Sequence, residues 1–178
     1  FVILTSYSGA MSSKKAKIIQ LPLSPEKYIT QKAKSLPLHE CFINHDWKLS
    51  QMASIFISRR MPSGKIIAAL YLVDLMCLGL KDSYYEFNLA ETDYEEFKKT
   101  YRKELHTIKA DYVLLHNIIY GGIEFAEEFG FRPHKDFRLT QYLLEEDDER
   151  VELMDIEFGK DGIPVVMIYP HNPQRNVI

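Results

Sequence analysis

Residues 54–74 contain the pattern that most restricts how this chain can fold. Two apolar runs, 54–60 and 65–74, flank the segment Met61-Pro62-Ser63-Gly64. Proline suits the first central position of a type I turn and glycine suits its last position, so the stretch predicts an antiparallel β-hairpin. A helix over residues 68–80 is the alternative, because Ala, Leu and Met favour helices. The turn favours the strand.

Asp74 is a carboxylate inside the otherwise apolar stretch 66–80. Strand alternation places it on the same face as Leu72 and Met76. Burying a carboxylate costs several kcal/mol unless it is paired, protonated, metal-bound or at the rim of the sheet. We expect a polar partner from the long helix over residues 108–129 or from the segment 130–137. Gly79 predicts a bend or bulge near the end of the strand.

Capping residues predict two further helices. Ser24-Pro25 suits the start of a helix that Pro37 ends. Thr92 and Glu95 have the spacing of a capping box, which predicts a helix through about residue 104. One face of this second helix carries three aromatic side chains: Tyr94, Phe97 and Tyr101.

The longest predicted helix runs from about Ile108 to Phe129. Gly130 suits the left-handed position that ends many helices. The pair Gly121-Gly122 costs the helix roughly 1 kcal/mol per glycine, which is tolerable if another backbone comes very close there. Apolar positions recur along it at spacings of three and four: Tyr112, Leu115, Ile119, Gly122, Ala126 and Phe129.

The remaining segments complete the fold class. We predict strands over residues 17–23 and 38–43, a solvated linker over 145–149, a second hairpin over 151–170 that turns at Asp161-Gly162, and a loop-like tail. Strands and helices do not alternate regularly. The sequence therefore predicts a single α+β domain over residues 11–178, with a mainly antiparallel sheet built from two hairpins and packed against three helices.

Composition restricts the class of protein. The chain is 46% hydrophobic and 26% charged, as in ordinary globular proteins. Its net charge of −3 argues against a general nucleic-acid binder, although it leaves room for a local basic patch. The longest apolar stretch, 66–80, is too short for a membrane helix, and we expect no association with a membrane.

The ends and the cysteines predict the cellular setting. Residues 1–10 lack a signal-peptide pattern and are expected to be an upstream or artificial extension before a natural start at Met11. Cys41 and Cys77 lie in apolar surroundings, so we expect two buried thiols in a reducing cytoplasm.

Three places could carry chemistry. His116, Tyr120 and Glu124 recur every fourth residue and share one helix face. The segment 130–137 adds Arg132, His134, Lys135 and Asp136. A histidine near a carboxylate can transfer protons or bind a metal. Asp74 is the third place that could carry chemistry. No standard catalytic or metal motif is present, so no metal or cofactor is assigned and structural roles remain open for all of them.

Weaker ligand-binding candidates are Trp47, Tyr120 and Arg132. Trp47 is the only tryptophan and follows Glu40, His45 and Asp46. A tryptophan at the end of a strand can cover the core, or it can stack on a ligand.

Three stretches carry a resemblance: HECFINHDW (39–47), residues 58–85, and residues 116–137. They resemble a family of hypothetical bacterial proteins, notably from Bacteroides-like organisms, which implies a bacterial cytoplasmic setting and no particular mechanism. The fragments LGLKDS and GFRPHK are similar to pieces of type 2 ribonucleases H, which cleave phosphodiesters with metal held by clustered carboxylates. The acidic signature of those enzymes is absent, so no catalytic residue is transferred.

Two hypotheses follow. The first is a binding or interaction domain without catalysis of its own, which predicts an aromatic-lined groove and a protein partner. The alternative is a metal-dependent hydrolase, acting on nucleic acid for example. It requires the five catalytic candidates to converge on one pocket, and it fails if Asp74 and His116 lie on opposite faces of the sheet. These five candidates are Asp74, His116, Glu124, His134 and Asp136.

Overall fold

The predicted hairpin is present at the centre of the structure, a computed structural model that describes residues 23–166. Strands β2 (Met52–Arg60) and β3 (Ile66–Asp74) pair antiparallel without a break in register, from Met52 opposite Asp74 to Arg60 opposite Ile66. In the turn, the backbone N–H of Met61 donates to the carbonyl of Lys65 at 2.8 Å. The helical alternative for residues 68–80 is therefore wrong.

Three more strands extend this hairpin into a five-stranded sheet. They are β1 (Leu38–Asn44), β4 (Gly79–Leu89) and β5 (Thr107–Lys109), in the order β4-β3-β2-β1-β5. Every neighbouring pair is antiparallel. The predicted α+β class with an antiparallel sheet is confirmed.

The second predicted hairpin is wrong in its strands. In residues 151–166 only the turn at Asp161-Gly162 forms, closed by an isolated bridge between Lys160 and Ile163. Instead β3 makes the second hairpin with β4, which the sequence interpretation missed. The predicted strand residues 17–22, the extension 1–10 and the end of the chain from 167 lie outside the described residues.

Three helices of two turns or more pack on this sheet. They are α1 (Pro25–Lys32), α3 (Glu91–Leu105) and α4 (Tyr112–Glu128). Two single-turn helices, α2 (Trp47–Ser50) and α5 (Phe137–Thr140), and two short 3-10 segments, Ala33–Ser35 and Gln141–Leu143, lie in connections. Within residues 23–166, no helix has the length and apolar character needed to cross a membrane.

The start of α1 was predicted correctly, and the starts of α3 and α4 were not. Ser24 caps α1 as expected, accepting a hydrogen bond from the Lys27 amide. The capping box is wrong, because α3 begins at Glu91 after Ala90 and places Thr92 inside its first turn. Helix α4 begins only at Tyr112, capped by the Asp111 carboxylate. Residues 108 and 109, predicted as its beginning, pair with β1 as part of strand β5.

The sheet separates two apolar layers of unequal size. Alternate residues of β3, among them Tyr71 and Val73, face the larger core, which contains α4 and α1. The other residues of β3, such as Ile66 and Ala68, face α3, where Tyr94 is fully buried. Phe97 and Tyr101 pack around this smaller cluster, so the predicted aromatic face of α3 is confirmed.

Helix α4 comes unusually close to the sheet at a pair of glycines. Gly79 has a φ of +59°, and a Cβ added to it would lie 2.4 Å from the Gly122 carbonyl oxygen. A Cβ on Gly122 would lie 2.6 Å from Cγ1 of Val73. The close approach inferred from Gly121-Gly122 is thus confirmed, and it fixes α4 against β3 and β4.

Arg59 links three parts of the larger core. Its side chain is 2% exposed, and its guanidinium donates to the carbonyls of Leu143 and Leu36 and to the Glu145 carboxylate, the last at 2.7 Å. A buried guanidinium is tolerated only when its donors are satisfied. Strand β2 is thereby tied both to the end of the α1 region and to the segment that follows α5.

We predict that Gly79→Ala destabilises the protein much more than Gly64→Ala does. Both glycines have positive φ, which costs an alanine about 1 kcal/mol, but only at Gly79 is the space for a Cβ filled. The additional overpacking is worth about 2 kcal/mol. Urea unfolding of both variants measures the difference, and equal losses in the free energy of unfolding would contradict the close approach of α4.

We predict that Arg59→Met lowers the free energy of unfolding by about 3–5 kcal/mol, because Glu145 and two buried carbonyls lose their donor. The matched control is Arg60→Met, since Arg60 pairs with Glu91 at the surface and surface pairs contribute little. Denaturant titration of both variants tests this. Similar small losses would show that Arg59 does not hold the fold together.

Candidate functional site

Asp74 has a local structural role. Its Oδ1 accepts hydrogen bonds from the backbone amides of Met76 at 2.8 Å and Cys77 at 3.1 Å. The carboxylate therefore stabilises the turn between β3 and β4. The prediction of a partner from α4 or from residues 130–137 is wrong, because the backbone amides of the turn itself donate to the carboxylate.

The catalytic candidates do not converge. By strand alternation Asp74 lies on the α3 side of the sheet, whereas His116 belongs to α4 on the other side. His134 lies beside β4, with Nδ1 3.5 Å from Oδ1 of Asp82 and 3.9 Å from Oδ2 of Asp136. Across residues 23–166, no group of three or more His, Cys, Asp and Glu side chains could hold a metal ion.

Three of the predicted residues do meet in one place, a groove of about 580 Å³ along the outer side of α4. His116, Tyr120 and Glu124 line it in the order predicted from their spacing, and Glu128 extends the row by one more turn. The opposite wall is the segment 147–158. We call this site the α4 groove; its lining residues on that second wall are Asp147, Asp148, Glu149, Val151, Leu153, Met154 and Phe158.

Asn117 holds the second wall in place. Its amide nitrogen donates to the carbonyl of Glu152 at 2.9 Å, and its Oδ1 accepts from the amide of Met154 at 2.9 Å. One side chain thus pairs with both a carbonyl and an amide of a backbone segment that belongs to no strand. The segment was predicted partly as linker and partly as strand, so the groove could not be derived from the sequence.

Aromatic rings form part of the groove lining. Phe158 packs on α4 where Gly121 has no side chain, since an added Cβ would lie 2.7 Å from the ring. Phe125 stacks on Phe158 with ring centroids 6.0 Å apart. Beside them Leu153 is 90% exposed and Met154 is 40% exposed. The groove therefore has an apolar, aromatic part that remains open to solvent.

His116 lies at the buried side of the groove. Its side chain is 1% exposed, and its Nδ1 is 3.9 Å from Oδ1 of Asp147. Its ring packs on that of Tyr120 with centroids 4.6 Å apart. Burial lowers the pKa of His116, while Asp147 and the backbone of Glu145 and Glu146 oppose that effect. The Nε2 atom has no hydrogen-bond partner among the described residues.

Carboxylates dominate the polar lining. Glu124, Glu128, Asp147, Asp148 and Glu149 line the groove, and no lysine or arginine does. Asp148 is paired with Arg150 at 2.6 Å. Glu124, Glu128 and Glu149 form no ion pair within the described part of the chain. The site thus combines acidic side chains with apolar and aromatic ones.

Of the three weaker ligand-binding candidates, Tyr120 lines the groove and the other two lie elsewhere. Trp47 is 9% exposed and belongs to the larger core, with Nζ of Lys48 5.2 Å from the centroid of its ring. Arg132 is exposed in the turn after α4 and does not line the groove. The residues that sequence reasoning missed are Glu128, Asn117 and the wall 147–158; the four-residue spacing from Glu124 to Glu128 was the available signal for the first.

Comparisons of the chain with protein-family models, with curated proteins and with solved structures found no match.

We predict that His116→Phe weakens the loss of stability on acidification. The pKa of His116 is lowered in the folded protein. Between that pKa and about 6.5, the unfolded chain binds more protons than the folded one, so the free energy of unfolding decreases as the pH decreases. Phenylalanine keeps the ring contact with Tyr120 and removes the titration.

Urea unfolding of both proteins between about pH 5 and 7 measures this effect. A smaller slope remains in the variant, because the pKa of His39 is also lowered, by burial and by Arg60. An unchanged slope would show that His116 is not buried as neutral imidazole.

Proposed function

We propose that this chain is a protein-binding domain that captures a peptide segment in the α4 groove and has no catalysis of its own. The observation that carries the proposal is the open apolar part of the groove. Leu153 is 90% exposed beside the stacked pair Phe125 and Phe158. Apolar and aromatic side chains flanked by polar ones are typical of surfaces that bind other proteins.

The construction of the groove supports binding of an extended or helical segment. One wall is a regular helix and the other is a backbone segment held by Asn117. Grooves between a helix and a second element accept amphipathic peptides through a few apolar anchors. The metal-dependent hydrolase has no comparable support, since the catalytic candidates are divided among three places.

We further propose a bacterial, cytoplasmic setting for this binding domain. Cys41 and Cys77 are both free and buried, as predicted. Free thiols are common where the compartment is reducing. The resemblance to bacterial proteins provides the other support.

The test is selection of random short peptides displayed on phage against the full chain. We predict groove-dependent peptides that bind Leu153→Ser about tenfold more weakly, as expected for loss of an apolar anchor. The matched control is Leu49→Ser, because Leu49 is 89% exposed on α2, outside the groove.

Peptides that bind the wild type and the Leu49→Ser variant equally well, and bind Leu153→Ser poorly, support the proposal. If the selection enriches no peptide, or if Leu153→Ser binds every enriched peptide as well as the wild type does, the groove is not a peptide-binding site.

A further inference from the structure

We propose that the segment bound in the α4 groove is cationic, carrying lysine or arginine next to an apolar anchor. This inference rests on the proposed function, since it names the chemical class of the partner of the same site. Three features of the groove support it: the carboxylates on both walls, the position of Glu128 at the end of α4, and the Nε2 atom of His116.

The two walls carry charge of the same sign. Glu124 and Glu128 are exposed on α4, and Asp147 and Glu149 are exposed on the opposite wall. Among the described residues, no lysine or arginine lines the groove, and Arg150 of the second wall is paired with Asp148. Like charges facing each other across a groove disfavour the unbound state, and a cationic side chain between the walls would reverse that effect. An acidic ligand would add to the repulsion.

One groove carboxylate on α4, Glu128, also lies at the unfavourable end of the helix. It occupies the last turn of α4 together with Glu127, and that turn contains no basic residue. The C-terminal end of a helix carries a partial negative charge and favours lysine or arginine. Charges that oppose the stability of their own helix are expected at functional sites. A bound cation would supply the positive charge that the last turn of α4 lacks.

His116 provides a second, independent feature. Its Nδ1 lies 3.9 Å from an acceptor on the opposite wall, Oδ1 of Asp147. The proton of the neutral ring therefore belongs on Nδ1, which leaves Nε2 as an acceptor. Nε2 is buried and has no hydrogen-bond partner within residues 23–166, although His116 lines the groove. The unmet requirement is for a hydrogen-bond donor, which ammonium, guanidinium and peptide N–H groups all supply.

The apolar lining determines the rest of the ligand. Phe125, Phe158 and Leu153 line the same groove as the carboxylates, and they offer contacts for an aliphatic or aromatic side chain. A peptide with an apolar residue followed or preceded by basic residues matches both parts. Lysine and arginine also have long apolar stems that can cover Phe125 while the charged ends reach Glu124 or Glu128.

The experiment compares the full chain with two charge variants. Glu124→Gln combined with Glu128→Gln removes two charges from the groove. Glu96→Gln combined with Glu104→Gln removes two charges from exposed positions on α3 and is the matched control. Random displayed peptides are selected on the wild type, and fluorescence anisotropy of the enriched peptides measures their affinity for each protein.

We expect enriched peptides with an excess of lysine and arginine. They should bind the groove variant about tenfold more weakly, bind the α3 variant as the wild type does, and lose affinity as salt rises. The groove variant without peptide should unfold at a higher urea concentration than the wild type, because the helix terminus is relieved. These results together support the inference.

Other outcomes overturn it. Groove-dependent peptides that have no basic excess, or that bind the Glu124/Glu128 variant normally, overturn the cationic class and leave the proposed binding function intact. Calcium or zinc binding by calorimetry that the same variant abolishes, without a basic preference among the peptides, would replace the peptide cation with a metal ion. A selection that yields no Leu153-dependent peptide overturns the proposed function itself.

Discussion

The buried guanidinium of Arg59 is the interaction on which the rest of the molecule depends. It lies in the central strand β2 and donates to acceptors from both sides of the larger core, including the carbonyl of Leu36 and the carboxylate of Glu145. Desolvation of a guanidinium costs several kcal/mol, so the acceptors have to be present together. The chain at Leu36 and the chain at Leu143–Glu145 are thereby held at one position relative to β2.

The position of Glu145 decides where the groove begins. Its carboxylate receives Arg59, and its backbone amide donates to the hydroxyl of Tyr112 at 2.6 Å. Two residues later the acidic wall starts at Asp147. The segment 145–149 was predicted as a solvated linker, which is wrong for Glu145 because it pairs with a buried side chain. The exposed remainder of the segment, 146–149, agrees with the prediction.

Local signals predicted those parts of the fold that local chemistry determines. The turn at Pro62 and Gly64, the cap at Ser24 and the close approach at Gly122 each follow from a conformational requirement of one or two residues. The row formed by His116, Tyr120 and Glu124 follows from helical periodicity alone. These features needed no knowledge of which distant segments would meet.

Long-range pairing explains what the sequence did not predict. Strand β5 is three residues long and is a strand only because β1 is beside it, so residues 108 and 109 were assigned to the helix that follows. Residues 151–158 have strand-like composition, but their amide and carbonyl groups bind the side chain of Asn117 and no sheet edge. Whether a partner strand exists is a property of the whole fold.

Because Asn117 pairs with the second wall in place of a neighbouring strand, the wall is attached differently from a strand of the sheet. A wall paired in the sheet would be fixed at every second residue. The wall 147–158 is instead attached at Asn117, and beyond it where the amide of Gly159 donates to the carbonyl of Leu75 at 2.7 Å. Before this wall, Arg59 binds Leu143 and Glu145 and holds them against β2, and at its far end Phe158 packs on α4 at Gly121. A ligand in the groove therefore meets a wall that is fixed at a few points, where a paired strand would be fixed at every second residue.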